Sequence, residues 1–101
     1  MMIDERDVEK RLRMECEKRG WLCWKFTSPG RNGVPDRIVI RPRRVAAPAF
    51  IDFVEVKAPK GCVRPLQRVR FRELTEHGAQ VSVVHNFNEV DELIKRWEKE
   101  W

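Results

Sequence analysis

Cysteine and histidine are scarce in this chain: Cys16, Cys23 and Cys62 are the only thiols, and His77 and His85 the only imidazoles. An odd number of cysteines with no Cys-x-x-Cys pair argues against a disulfide framework. Two scattered histidines cannot rescue a tetrahedral zinc site, so structural zinc is argued against as well. No apolar leader segment opens the sequence, and no apolar run is long enough to span a bilayer. Internal repeats and low-complexity segments are also missing. The expectation is a reduced, cytoplasmic protein with no membrane partner.

What the chain does have is charge. Its 101 residues suit a single domain, 1–101, with a real but small core. A composition of 42% hydrophobic and 37% charged residues is globular rather than disordered. The net charge is +5 and the pI about 9.5, which suits a polyanionic partner, nucleic acid being the commonest. Many small basic proteins bind no DNA, so charge alone does not decide the matter.

Residues 4–19 read as a helix. Asp4 can cap it, Asp7 suits the positive end of its dipole, and Val8, Leu12 and Cys16 form one apolar stripe. Gly20 ends it. Residues 21–26 are rich in aromatics and read as a short strand, with Trp21 and Trp24 expected in the core rather than stacked on bases. Residues 27–33 carry glycine, proline and asparagine and form a loop. Residues 38–40 and 50–57 read as two strands. Between them, residues 41–48 hold three arginines and two prolines, too many residues for a tight hairpin turn. Those arginines can meet DNA or form a solvated tip. A helix follows from Arg64-Pro65 to about His77, then a strand over 80–85. Asn88 is expected to cap the last helix, with Asp91 three residues on. Val90, Leu93, Ile94 and Trp97 form its apolar stripe, which Trp101 continues. The order α-β-β-β-α-β-α predicts an α/β fold: a small mixed sheet flanked by helices.

The stretch from Ser28 to Gln67 carries the chemistry. Asp36 opens the run Ile38-Val39-Ile40, and Glu55 and Lys57 close the run that begins at Phe50. Alternation along a strand puts Glu55 and Lys57 on one face. If the two runs pair as a hairpin, Asp36 meets both at one edge of the sheet. Two carboxylates and an amine gathered there suit a hard cation. Each piece alone is an ordinary charged strand end or turn; their convergence is the signal. The loop before Asp36 can wall the site, with its glycines letting backbone approach a phosphate and Ser28 and Arg31 donating to it. Gln67 lies early in its helix, near Lys57. Arg64, Arg68, Arg70 and Arg72 make that helix basic.

Gly33-Val34-Pro35-Asp36, Glu55-Val56-Lys57 and Gln67, in that order, resemble the pattern of the VRR-NUC family (virus-type replication-repair nucleases), within the PD-(D/E)xK nucleases. The resemblance runs from about Glu5 to Ile94, through Gly20, Lys25-Phe26, Ser28-Pro29-Gly30-Arg31, Gly78 and Val81 to Val84. The long 41–48 connection is a departure, since many relatives have a shorter, glycine-rich turn. The resemblance implies a restriction-endonuclease-like fold and a metal-dependent DNA endonuclease. Asp36 and Glu55, helped by the Val56 carbonyl, would hold one or two Mg²⁺ or Mn²⁺ ions. Lys57 would orient or help deprotonate the attacking water, or stabilise developing charge. Gln67 would position water or phosphate. In related nucleases a glutamate of the first helix reaches the metal: Glu9 is the first choice and Glu5, one turn away, the second. Stand-alone viral and bacterial members resemble Holliday-junction resolvases and tend to be homodimers. That implies branched, four-way DNA as substrate, in a bacterial or phage-infected cell. Flap or linear-duplex cleavage, a non-catalytic DNA-binding module on the same fold, and a basic protein–protein adaptor are the alternatives. Cys62, close to this stretch, is expected to pack.

Overall fold

Asp4 starts the first helix by satisfying two of its free ends. Its side chain accepts from the Asp7 amide while the Asp7 side chain accepts from the Asp4 amide. The computed structural model describes residues 2–100. Helix α1 spans Glu5–Lys18, strand β1 Leu22–Lys25, β2 Arg37–Arg41, β3 Phe50–Val56, helix α2 Pro65–Glu76, strand β4 Gln80–Val84 and helix α3 Phe87–Glu98. This is the expected order. Gly20 follows α1 with φ +75, a conformation that favours glycine.

The four strands form one mixed sheet in the order β1-β2-β3-β4. β1–β2 and β2–β3 are antiparallel, and β3–β4 is parallel across the α2 crossover. Inward positions on β1 to β3 include Cys23, Val39, Val54 and Val56. They meet Val8, Leu12 and Cys16 of α1 and the α3 stripe of Val90, Leu93, Ile94 and Trp97 in one core. Trp21 and Trp97 meet edge to face with ring centroids 6.0 Å apart. No helix among the described residues is long and apolar enough to cross a membrane.

Four local expectations change. The cap of α3 is Asn86, not Asn88: its side chain accepts from the Glu89 amide at 2.8 Å, and helix begins at Phe87. Asn86 stands between β4 and the helix in extended conformation, where an N-cap must be, while Asn88 already lies inside the first turn. Trp24 is exposed and only Trp21 joins the core, because neighbouring strand positions alternate between faces. Arg41 is neither a DNA contact nor a solvated tip. It ends β2 on the inward face and is buried. Cys62 is exposed rather than packed. Trp101, read above as extending the α3 stripe, lies outside the described residues.

Replacing each asparagine separately checks the new cap. Asn86→Ala costs about 1 kcal/mol of unfolding free energy. Asn88→Ala, an exposed first-turn change, stays within about 0.5 kcal/mol of wild type. Urea denaturation of both variants decides the assignment, and equal losses would undo it.

Candidate active site

Pro35 and Asp36 stand just before β2, and the register of the hairpin does the rest. Arg37 pairs with Val54, so the next position outward sets Asp36 beside Glu55. The Asp36 carboxylate accepts the Val56 amide through Oδ2 at 2.9 Å. That bond ties the carboxylate to the strand that carries Glu55 and places it near the end of β3.

Glu55 and Lys57 share one face of β3, as alternation requires. Both are buried. Lys57 Nζ lies 3.2 Å from Glu55 Oε2 and donates to Gln67 Oε1 at 2.8 Å. The Gln67 amide closes the triangle, donating through Nε2 to Glu55 Oε2 at 2.8 Å. Its Oε1 also accepts the Arg64 backbone N–H at 2.9 Å, which holds the first turn of α2 against the site. Asp36, Glu55, Lys57 and Gln67 are therefore brought together at one end of the sheet.

Gly33 sets the loop against α2. It has φ +86, and an added Cβ would lie 3.1 Å from Leu66 Cγ and 3.3 Å from the Gln67 backbone nitrogen. Arg70 fastens the same contact by donating through Nε to the Asn32 carbonyl at 2.9 Å. Sequence reading counted Arg70 only as part of a basic surface. Its spacing of i+3 from Gln67 was the signal that both face the loop. Arg31, Arg64 and Arg68 are exposed and Ser28 is half-buried; Arg64 adjoins the site through its backbone bond to Gln67, whereas Arg31 lies beside Val34, Arg70 and Glu73.

Of the two glutamates of α1, Glu9 is engaged elsewhere. Its carboxylate accepts from Arg37 Nε at 2.8 Å and lies 4.0 Å from Lys25 Nζ. Glu9, the first choice from sequence, is thus held by Arg37, and Glu5 is the alternative one helical turn away. Glu5 is the carboxylate that feels the site. Its pKa is raised, first by burial and then by the Asp36 charge, with Lys57 opposing. No spacing rule foretold the Arg37–Glu9 pair, because its members stand on different elements.

Glu55 also has a raised pKa. Burial is the larger cause, followed by the Asp36 charge; Lys57 and Gln67 oppose it. Glu55 Oε1 is buried without a hydrogen-bond partner. An orphaned carboxylate oxygen beside a second carboxylate suits a divalent cation, which would satisfy the oxygen and cancel the repulsion. Among the described residues no three side chains of His, Cys, Asp or Glu gather into a dedicated cage. Two carboxylates, one with an orphaned oxygen, instead fit an ion that keeps part of its water and binds substrate phosphate, as Mg²⁺ does.

The sign of the Glu55 shift has a measurable consequence. With its folded-state pKa raised, Glu55 contributes stability that is present below the unfolded value of about 4.3 and lost as pH rises through the folded value. Near neutral pH, in EDTA, Glu55→Gln therefore melts higher than wild type, and the gap closes as pH falls towards the ordinary glutamate range. Were Mn²⁺ to occupy the site, a hundredfold excess over its Kd would stabilise wild type by about 2.7 kcal/mol and leave Glu55→Gln nearly unmoved. Melting curves across pH, with and without Mn²⁺, test both parts. A variant that melts lower than wild type in EDTA at neutral pH would contradict the first.

Comparison with known proteins follows the same outline. The VRR-NUC domain family model matches residues 24–88, which contain every side chain of the Asp36–Gln67 cluster. The chain is 42% identical over 83 residues to the protein called "Putative nuclease p44" of Acyrthosiphon pisum secondary endosymbiont phage 1. That match spans 82% of this chain and 84% of the phage protein. A solved structure described as a VRR_NUC domain superposes with a TM-score of 0.81 at 35% identity, covering 92% of this chain and 96% of that one.

Proposed function

This chain belongs to the VRR-NUC domain family, and from that premise we propose that it is a Mg²⁺- or Mn²⁺-dependent, structure-specific DNA endonuclease acting as a homodimer on four-way junctions. The observation that carries the reading is the convergence of Asp36, Glu55, Lys57 and Gln67, with Glu55 Oε1 left unpartnered. Membership of the family and the nuclease name of the phage relative support nuclease chemistry on DNA.

Asp36 and Glu55, with the Val56 carbonyl, would hold the cation. When bound, that ion supplies a water acidified toward hydroxide and screens the phosphate charge. The residues do the rest. Lys57 spends two of its three donors on Glu55 and Gln67, keeping the third for the attacking water or the phosphate. Gln67 fixes the Lys57 amine in place, because both ends of its amide are engaged. Glu5, which feels the Asp36 and Lys57 charges from the first turn of α1, is the helix carboxylate that would reach the cation through water. Arg31, Arg64 and Arg68 meet phosphates on either side of the cut, and Ser28 donates from the loop. Two sites in a symmetric dimer give the geometry for paired cuts on opposing strands.

The test is cleavage of end-labelled four-way junction, flap and linear duplex in Mg²⁺, in Mn²⁺ and in EDTA. The expected outcome is paired nicks across the junction that vanish in EDTA. Faster cutting of flaps or linear duplex would discard the junction preference and keep the nuclease. Tight junction binding without cutting in either metal would reduce the chain to a binding module.

A further inference from the structure

Residues 27–34 and helix α2 shape a second recess, further along the helix than Gln67. Its volume is about 340 Å³, and Arg31, Val34, Arg70, Glu73, Leu74 and His77 line it. Val34 stands two residues before Asp36, and Arg70 three residues after Gln67. At 1.5 Å of rise per residue, the wall from Arg70 to His77 runs about 5–15 Å beyond Gln67 along the helix axis. Nucleotides of one strand rise about 3.4 Å each. That wall therefore lies about one to four nucleotides from a phosphate held at Asp36 and Glu55.

The lining combines an apolar surface with fixed polar groups. Val34 and Leu74 are half-buried and supply the apolar part. Arg70 donates through Nε to the Asn32 carbonyl at 2.9 Å and through Nη1 to Glu73 Oε1 at 2.7 Å. Both bonds lie in the plane of the guanidinium, so the group is pre-set as a flat stacking surface. His77 Nδ1 donates to the Glu73 carbonyl at 2.7 Å, which leaves Nε2 as the acceptor of the neutral ring. The Glu73 carboxylate is a second acceptor, and the Arg70 hydrogen bond lowers its pKa and keeps it ionised. Arg31 is exposed, and its guanidinium forms no hydrogen bond or ion pair with another described residue.

We propose that this recess receives one unpaired nucleobase beside the cut, with a preference for bases that carry an exocyclic amine. Ligand pockets hold roughly 300–1,000 Å³, and this one lies at the small end, which suits a single base. The apolar residues and the fixed guanidinium match the flat face of a base. Glu73 and His77 Nε2 match an amine. Adenine, cytosine and guanine carry one, and thymine carries none. Arg31 reaches the phosphate of the same nucleotide. A base inside a duplex enters only if it is extruded, and extrusion costs least where the base is already unpaired. The recess thus selects DNA whose pairing is interrupted beside the cut. This rests on the proposed function, which supplies the DNA and the point of cutting, and it adds what the protein reads there.

The experiment is a titration of the full chain, in EDTA, with end-labelled duplexes that are fully matched or carry a single unpaired adenine or thymine. Wild type binds the unpaired-adenine duplex about 5–150-fold tighter than the matched one, the range for stacking of one base. It also binds unpaired adenine tighter than unpaired thymine. Leu74→Phe, which fills the recess, removes most of the preference for unpaired DNA and leaves matched-duplex binding unchanged. Glu73→Ala removes the preference for adenine over thymine. Its exposed position keeps the test open if Leu74→Phe misfolds. Arg72, exposed on α2 outside the recess, is the control: Arg72→Ala weakens all three duplexes alike. Equal affinity for matched and unpaired duplexes overturns the proposal, as does adenine bound no tighter than thymine. A preference that survives in both Leu74→Phe and Glu73→Ala overturns it too. Cleavage of the same duplexes in Mn²⁺ separates the two readings. Base preference without cutting keeps the recess and sinks the nuclease, whereas cutting without base preference keeps the nuclease and sinks the recess.

Discussion

Lys57→Ala slows single-turnover cleavage by about 10²–10⁴-fold at saturating cation, the range expected for loss of a positioned proton-transfer or charge-stabilising group. The amine is buried, sits 3.2 Å from Glu55 Oε2 and donates to Gln67 at 2.8 Å, so no other cation takes its place. The loss also acts on its neighbour. Lys57 opposes the rise in the Glu55 pKa, and without it the carboxyl rises further. Cation binding then weakens at low pH, and the acid limb of the rate profile shifts to higher pH. Lys57→Arg does not restore the rate, because a planar fork cannot replace a point charge held by one amide oxygen. DNA binding in EDTA is spared, since it draws on exposed arginines. An unchanged cleavage rate in Lys57→Ala would show that the reacting atoms lie elsewhere.

Asp52→Ala produces the largest loss of stability, about 3–5 kcal/mol, because it strips a buried charge of its partner. Arg41 ends β2 with 3% of its side chain exposed and meets Asp52 Oδ2 at 2.7 Å, with Asp52 itself 6% exposed. The guanidinium lies over the rings of Phe50, Trp97 and Trp21, and its Nε already lacks a partner. Glu100 at 3.1 Å cannot take over, since it is half in solvent. For a chain of about 100 residues a loss of 3 kcal/mol lowers Tm by more than about 12 °C. The contrast is Arg13–Glu17, an exposed pair on α1, whose removal changes stability by less than about 0.5 kcal/mol. Urea denaturation of Asp52→Ala and Glu17→Ala side by side measures both. A loss under about 1 kcal/mol for Asp52→Ala would mean that water reaches Arg41.

The convergence of Asp36 with Glu55 and Lys57 was legible without coordinates, since it needs only period-two alternation and one antiparallel hairpin. The order of elements, the Asp4 cap and the apolar stripes of α1 and α3 were legible for the same reason. Each is a rule acting within a few residues, and the chain obeys it wherever packing does not intervene. Asn86 was missed because two asparagines stand one residue apart on either side of Phe87, and only the path of the chain out of β4 says which is extended. The Arg37 contact of Glu9 was not legible because helical spacing alone cannot tell which turn of α1 faces Arg37, 28 residues away. Arg41 looked like part of a charged loop because three arginines stand close together in sequence. Burial beside Asp52 depends on strand register and on where α3 ends. Sequence alone determined the elements and the hairpin chemistry, because these follow from local period and turn geometry. Tertiary structure decided the partners of Glu9, Arg41 and α2, because those depend on contacts between elements that no short-range pattern encodes.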